Sequence, residues 1–206
     1  MSEAGQIIYV VDDDDAMRDS LTWLLEGEAY RVACFDSAAA FLAARDDAMR
    51  GCIILDVRMP DMSGLELHER LDALGSTLPI IFVTGHGDVP MAVSALQRGA
   101  CDFIEKPFNN AELLSRIQRA LEVDSQLALR RQRDSAISHR VEQLTPRERE
   151  VMDLVVAGKL NKQIADTLDI SMKTVEAHRA RVMEKMGVRT LAELVKAAMS
   201  LGDEGG

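Results

Sequence analysis

Four polar stations stand directly after short apolar runs: Asp12 and Asp13 after IIYVV, Asp56 after CIIL, Thr84 after PIIFV, and Lys106 after CDFIE. Aspartates in such a set can hold a hard divalent cation through oxygen ligands. One of them can act as a nucleophile toward phosphorus, and an ammonium and a hydroxyl can grip the oxygens of an arriving phosphoryl group. The stations lie far apart along the chain, so the chemistry depends on elements that bring them together.

Ile7 to Val11, Ile53 to Leu55 and Pro79 to Val83 are short and rich in β-branched residues, as expected for strands of a parallel sheet covered on both faces. Strands are expected near residues 6–11, 30–34, 51–55, 79–83 and 101–104. Between them run stretches of helical period, such as Met17, Leu21, Leu24 and Leu25, then Ala92, Val93 and Leu96. Helices are expected near 16–26, 37–45, 64–73, 89–98 and 110–124. The alternation predicts an α/β fold with a doubly wound, five-stranded parallel sheet. In such sheets, sites form at the carboxyl ends of the strands, where all four stations would meet.

The 206 residues allow one large domain or two modest ones, and charge favours two. Residues 1–124 carry 10 Lys and Arg against 22 Asp and Glu, a net of −12, whereas residues 125–206 carry 14 against 12, a net of +2. The first part repels polyanions and the second can tolerate them. The expected division is 1–125 for the sheet domain, 126–143 as a linker that could extend the fifth helix, and 144–206 as a small all-α domain. Cys34, Cys52 and Cys101 lack zinc spacing and read as core thiols in a reducing compartment. No apolar run approaches the ~18 residues a membrane span needs, and MSEAGQ lacks the pattern of a signal peptide. A cytoplasmic protein without a membrane partner is expected.

The last segment gives four helix starts. Thr145 with Pro146 and Glu148 forms a capping box; Asn161, Ser171 and Thr190 cap the next three helices, and Gly158 and Gly187 supply stops. Ile164, Ala165 and Leu168 give the second helix an apolar face, and Asp169, Ile170 and Ser171 turn tightly into the third. That pair has helix-turn-helix geometry, with the later helix placed in the DNA major groove. On the later helix Val175, Val182 and Met186 keep a core period, with His178 or Arg179 at its margin. Glu176, Ala177 and Ala180 face outward as candidate base contacts. Lys162, Lys173, Thr174, His178, Arg179 and Arg181 are the candidate phosphate contacts.

The ordered set VVDD, ILDVRMPDMSG, VTGHGD and FIEKPF resembles the receiver domain of two-component response regulators, with TGHGDVPMAV and DFIEKPF closest to the FixJ type. LTPRERE, NKQIADTLDI and SMKTVEAHRARVMEKMG resemble the LuxR-type (GerE-type) helix-turn-helix. The resemblance covers essentially the entire chain. It implies that Asp56 is phosphorylated, and that Asp13, Asp56 and the Arg58 backbone carbonyl hold Mg²⁺ with Asp12 assisting. It further implies that Thr84 and Lys106 sense the phosphate, that Phe103 is the switch aromatic, and that a cis bond precedes Pro107. A sensor histidine kinase, double-stranded promoter DNA and a second copy of the chain, as a homodimer on phosphorylation, are the implied partners. RNA polymerase is admitted as a further one. The surface changed by phosphorylation would lie within residues 89–119.

Other positions have plainer readings. Asp14 and Asp15 serve as cap and first-turn carboxylates, Gly64 and Pro60 shape the loop after Asp56, and His86 is a solvated loop residue. Met17 and Met59 pack, and Trp23 is core or half-buried. Arg147 and Arg149, with Glu148, form caps and intradomain ion pairs, while Lys185, Arg189 and Lys196 form a solvated face. Two other functions remain open: a DNA-binding regulator whose first domain is an interaction module without phosphorylation, and a Mg²⁺-dependent phosphatase. Against the phosphatase, and for a non-enzyme, Arg58 stands two residues after Asp56, where phosphatases of the haloacid dehalogenase kind place a second carboxylate.

Overall fold

The computed structural model describes residues 5–85 and 101–202. The helix expected over 89–98, His86, and most of TGHGD lie outside the described residues. Two compact units divide the chain, Met1–Ala128 and Leu129–Gly206.

The first unit is built on a five-stranded parallel sheet in the order β2-β1-β3-β4-β5. Its strands are β1 (Ile7–Val11), β2 (Val32–Phe35), β3 (Gly51–Asp56), β4 (Ile80–Thr84) and β5 (Asp102–Glu105). Helices α1 (Asp15–Gly27), α2 (Ala38–Ala44) and α3 (Gly64–Ala73) alternate with the strands, and α4 (Asn110–Glu142) follows them. Period-two alternation splits the strand side chains between two cores. Ile8, Val10, Cys52, Ile54, Ile81 and Ile104 pack with Leu21 and Leu25 of α1 and Leu113 and Ile117 of α4. Tyr9, Val11, Ile53, Leu55 and Phe82 pack with Phe41 of α2 and Leu67 and Leu71 of α3. Because both faces are covered, every residue of β3 and β4 is buried.

Local chemistry sets the element boundaries. Asp14 is the N-cap of α1, its Oδ1 accepting from Ala16 N at 2.9 Å, and Asp15 supplies first-turn negative charge. Ser63 and Glu66 close a capping box on α3. Gly64 is forced by proximity: a Cβ there would lie 2.2 Å from the Asp56 carbonyl oxygen.

Two expectations in this unit are corrected. Trp23 is 82 % exposed rather than core. The inward stripe of α1 is Leu21 and Leu25, four apart, and a residue midway between them faces the other side. Cys34 is exposed on strand β2 at the edge of the sheet, its Sγ 3.1 Å from Thr22 Oγ1. Cys52 is buried and Cys101 half-buried; burial pushes both thiols upward.

The second unit contains α5 (Pro146–Val156), α6 (Asn161–Leu168), α7 (Met172–Met186) and α8 (Leu191–Gly202). Residues 126–143 are helical as part of α4 as far as Glu142. Within that stretch Val141 is buried in the core of the second unit and Ile137 packs against it, so its last turns belong to that fold rather than to a free linker. Thr145 and Glu148 close a capping box, Ser171 caps α7, Glu193 N donates to Thr190 Oγ1 at 3.2 Å, and Gly187 ends α7 at φ 63. Asn161 is not the cap of α6 but its first helical residue; Leu160 N is satisfied instead by Gln163 Oε1 at 2.9 Å. Lys185 is not a solvated face. Its Nζ lies 2.6 Å from Glu148 Oε2 and 3.2 Å from the Gln143 carbonyl, and with the Thr145 amide it holds the Glu148 carboxyl down to about 2. Among the described residues no helix is long and apolar enough to cross a membrane.

Candidate functional site

The parallel register places the stations on one edge. Asp12 follows β1, Asp56 and Thr84 are the last residues of β3 and β4, and Lys106 follows β5, its amide donating to the Thr84 carbonyl at 2.7 Å. The Lys106–Pro107 bond is cis. Lys106 Nζ bridges two carboxylates, 2.7 Å from Asp56 Oδ1 and 3.1 Å from Asp12 Oδ2. The remaining oxygens each accept a backbone N–H two residues on: Asp56 Oδ2 from Arg58 N at 2.7 Å, and Asp12 Oδ1 from Asp14 N at 2.9 Å. The carboxylates are 7 % and 3 % exposed, so two negative charges share one ammonium in a region of low polarity.

Burial pushes the Asp56 carboxyl above its ordinary value, against the bond and charge of Lys106. For Lys106 burial works downward, but the bonds and charges of Asp56 and Asp12 outweigh it and the ammonium is held above its usual range. Asp56 is therefore a buried nucleophile candidate in direct contact with one cation.

The structure brings Asp12, Asp56 and Lys106 together and leaves the other stations nearby. Asp13 is exposed on the turn after Asp12. Thr84 is fully buried and its Oγ1 donates to the Gly85 carbonyl at 3.1 Å. Phe103 is half-buried, in register with Phe82 and packed against the same core. Among the described residues no three His, Cys, Asp or Glu side chains are gathered to hold a metal ion. The donor types nonetheless fit a hard cation: the Asp12 and Asp56 carboxylates converge, Asp13 is adjacent, and the Arg58 carbonyl lies on the loop after β3.

Sequence reasoning did not single out Arg18. Its Nη1 donates to the Asp12 carbonyl at 2.6 Å and its Nη2 pairs with Asp15, tying the acidic turn to the first turn of α1. The spacing of three from Asp15 was the available signal, since it places the two on one helix face.

In the second unit, Asp169 ends α6 in the left-handed conformation at φ 52 and turns the chain into α7. Val175, Val182 and Met186 are buried, whereas Lys162, Lys173, Glu176, Ala177, Ala180 and Arg181 are exposed. Three of the candidate contacts are not simply outward. Thr174 Oγ1 lies 2.8 Å from Ser171 Oγ, His178 is half-buried, and Arg179 Nη1 donates to Asn161 Oδ1 at 3.0 Å.

Residues 8–118 match the response regulator receiver domain, and residues 142–198 match the bacterial regulatory proteins of the luxR family. The chain is 48 % identical over 195 residues to the transcriptional regulatory protein FixJ of Bradyrhizobium diazoefficiens, covering 95 % of each. The chain belongs to the FixJ-type response regulators. It is also 44 % identical to the response regulator protein TodT of Pseudomonas putida, covering 98 % of this chain and 89 % of TodT. Among solved structures, response regulator StyR superposes with a TM-score of 0.81 at 41 % identity, covering 95 % of this chain and 99 % of StyR. The regulator therefore carries a receiver domain, with the α/β fold expected from its strand pattern, and a LuxR-type DNA-binding domain.

Proposed function

We propose that this response regulator is switched by phosphorylation of Asp56. The observation that carries the reading is the single ammonium of Lys106 bridging Asp56 and Asp12 at the carboxyl edge of the sheet. A carboxylate oxygen of Asp56 attacks phosphorus of a phosphohistidine on a sensor kinase. A P–O bond forms, the P–N bond breaks, and its electron pair stays on the imidazole nitrogen. Mg²⁺, held by Asp12, Asp13, Asp56 and the Arg58 carbonyl, would neutralise charge between nucleophile and phosphoryl group when bound. Lys106 then transfers its contact from the carboxylate to a phosphoryl oxygen. The Thr84 hydroxyl leaves the Gly85 carbonyl for another, and Phe103 follows into the space beside it. The altered surface within residues 89–119 promotes a homodimer, and two copies of α7 read the two halves of a promoter site.

Lys162, Lys173 and Arg181 are the phosphate contacts best supported by exposure, with Glu176, Ala177 and Ala180 toward the bases. With Arg58 two residues after Asp56, no general acid stands there for ester turnover, so the phosphoryl group is stored as a signal. Light scattering with DNA footprinting, before and after acetyl phosphate plus Mg²⁺, tests the reading. A dimer with a protected two-fold site is expected from the parent and neither from Asp56→Asn. DNA binding indifferent to phosphodonor and Mg²⁺ would instead favour a receiver used only as an interaction module.

A further inference from the structure

The scaffold helix α6 has eight residues, too few to hold its own orientation, and it is tied at both ends. At its C-terminus the Arg147 guanidinium of α5 donates to the Leu168 carbonyl. At its N-terminus the Arg179 guanidinium of α7 donates to Asn161 Oδ1 at 3.0 Å. Between these ties α6 packs on α7 through apolar side chains, with Ile164, Ala165 and Val175 in one core. Apolar contact is non-directional and lets one helix roll on another, whereas a hydrogen bond has preferred distances and angles. Arg179 is three residues from Glu176 and next to Ala180, so its tether sets the roll angle of the positions proposed to meet base edges.

We propose that Arg179 and Asn161 are positioning residues for sequence readout: the Arg179 guanidinium serves the scaffold helix, not a DNA phosphate, and Asn161 belongs to the recognition machinery although it sits outside the recognition helix. A helix rolled out of register keeps its charges near the backbone and loses its fit to base edges. The pair thus governs discrimination rather than electrostatic attachment. This rests on the DNA-binding reading above, and the test separates the two.

The full chain, treated with acetyl phosphate and Mg²⁺, is used to select a duplex from a randomised pool. Affinities for the selected duplex and the unselected pool are then measured across a salt series. Parent, Asn161→Ala, Arg179→Met, the double variant and Asn161→Asp are compared well below their unfolding temperatures. Each single variant should lose preference for the selected duplex on the order of tenfold, with the slope of log affinity against log salt unchanged. The double variant should be no worse than the singles, as expected of one shared contact, and Asn161→Asp, which keeps the acceptor, should retain the preference. The proposal is overturned if Arg179→Met lowers the slope by about one with preference intact and Asn161→Ala silent, as for a lost phosphate contact. It is equally overturned if both variants change only the unfolding temperature. A parent that enriches no duplex removes the DNA-binding reading itself, and the proposal with it.

Discussion

Replacing Lys106 with Met exposes the electrostatics of the receiver site. Two oxygens, each at hydrogen-bond distance from one nitrogen (2.7 and 3.1 Å), lie at most about 5.8 Å apart. Without the ammonium, Asp12 and Asp56 repel across that span by about 3 kcal/mol at an effective dielectric of about 20. Water entering the vacated space reduces this, so the receiver should lose roughly 1.5–3 kcal/mol at pH 7. The sign of the pH dependence follows from Asp56. Its folded carboxyl is already held above its ordinary value by burial, and removing Lys106 raises it further. A raised carboxyl contributes stability below its unfolded value that is lost as pH rises through its folded value. The Lys106→Met deficit should therefore shrink as pH falls from 7 toward 4, and Asp56→Asn should be more stable than the parent at pH 7. Adding Asp56→Asn to Lys106→Met should recover most of the loss. Urea titration with hydrogen-exchange mass spectrometry on β1 and β3 peptides assigns the effect to the receiver. A deficit equal at pH 4 and 7, or a double variant no better than Lys106→Met, would refute the reasoning.

Other perturbations have definite outcomes. Glu148, held down to about 2 by Lys185 and the Thr145 amide, contributes stability above its ordinary 4.5 that is lost as pH falls toward 2. Glu148→Gln should lower the stability of the second unit by about 2 kcal/mol at pH 7 and flatten its acid dependence, read by exchange on α5 and α7 peptides. Gly64→Ala should destabilise the receiver by about 1–3 kcal/mol and slow phosphorylation by acetyl phosphate, because the new Cβ meets the Asp56 carbonyl; denaturation and intact-mass time courses check both. Trp23→Ala should change stability by no more than about 0.5 kcal/mol, and parent tryptophan emission should be freely quenched by iodide, as an exposed side chain requires.

Much of this architecture was legible in the sequence because its signals are local. The β-branched runs marked β1, β3 and β4, and Thr145, Ser171 and Asp14 announced helix starts through hydrogen bonds to amides two or three residues away. Convergence of Asp12, Asp56 and Lys106 could be anticipated because parallel strands end together. Contacts decided by packing geometry could not. Lys185 meets Glu148 across 37 residues and Arg179 meets Asn161 across 18; no periodicity links either pair. Trp23 and Cys34 were misjudged for a related reason. Both are apolar by type, but one lies off the α1 stripe and the other lies on the strand at the sheet edge.

The central claim is that one carboxylate, Asp56, receives the phosphoryl group and thereby sets DNA affinity. The full chain can be treated with acetyl phosphate and Mg²⁺, its acyl phosphate trapped by borohydride reduction, and the modified peptide identified by mass spectrometry while DNA affinity is followed in the same samples. The account predicts a single modification at Asp56 whose occupancy rises with affinity. Modification at another carboxylate, or affinity that rises with Asp56 untouched, would contradict it.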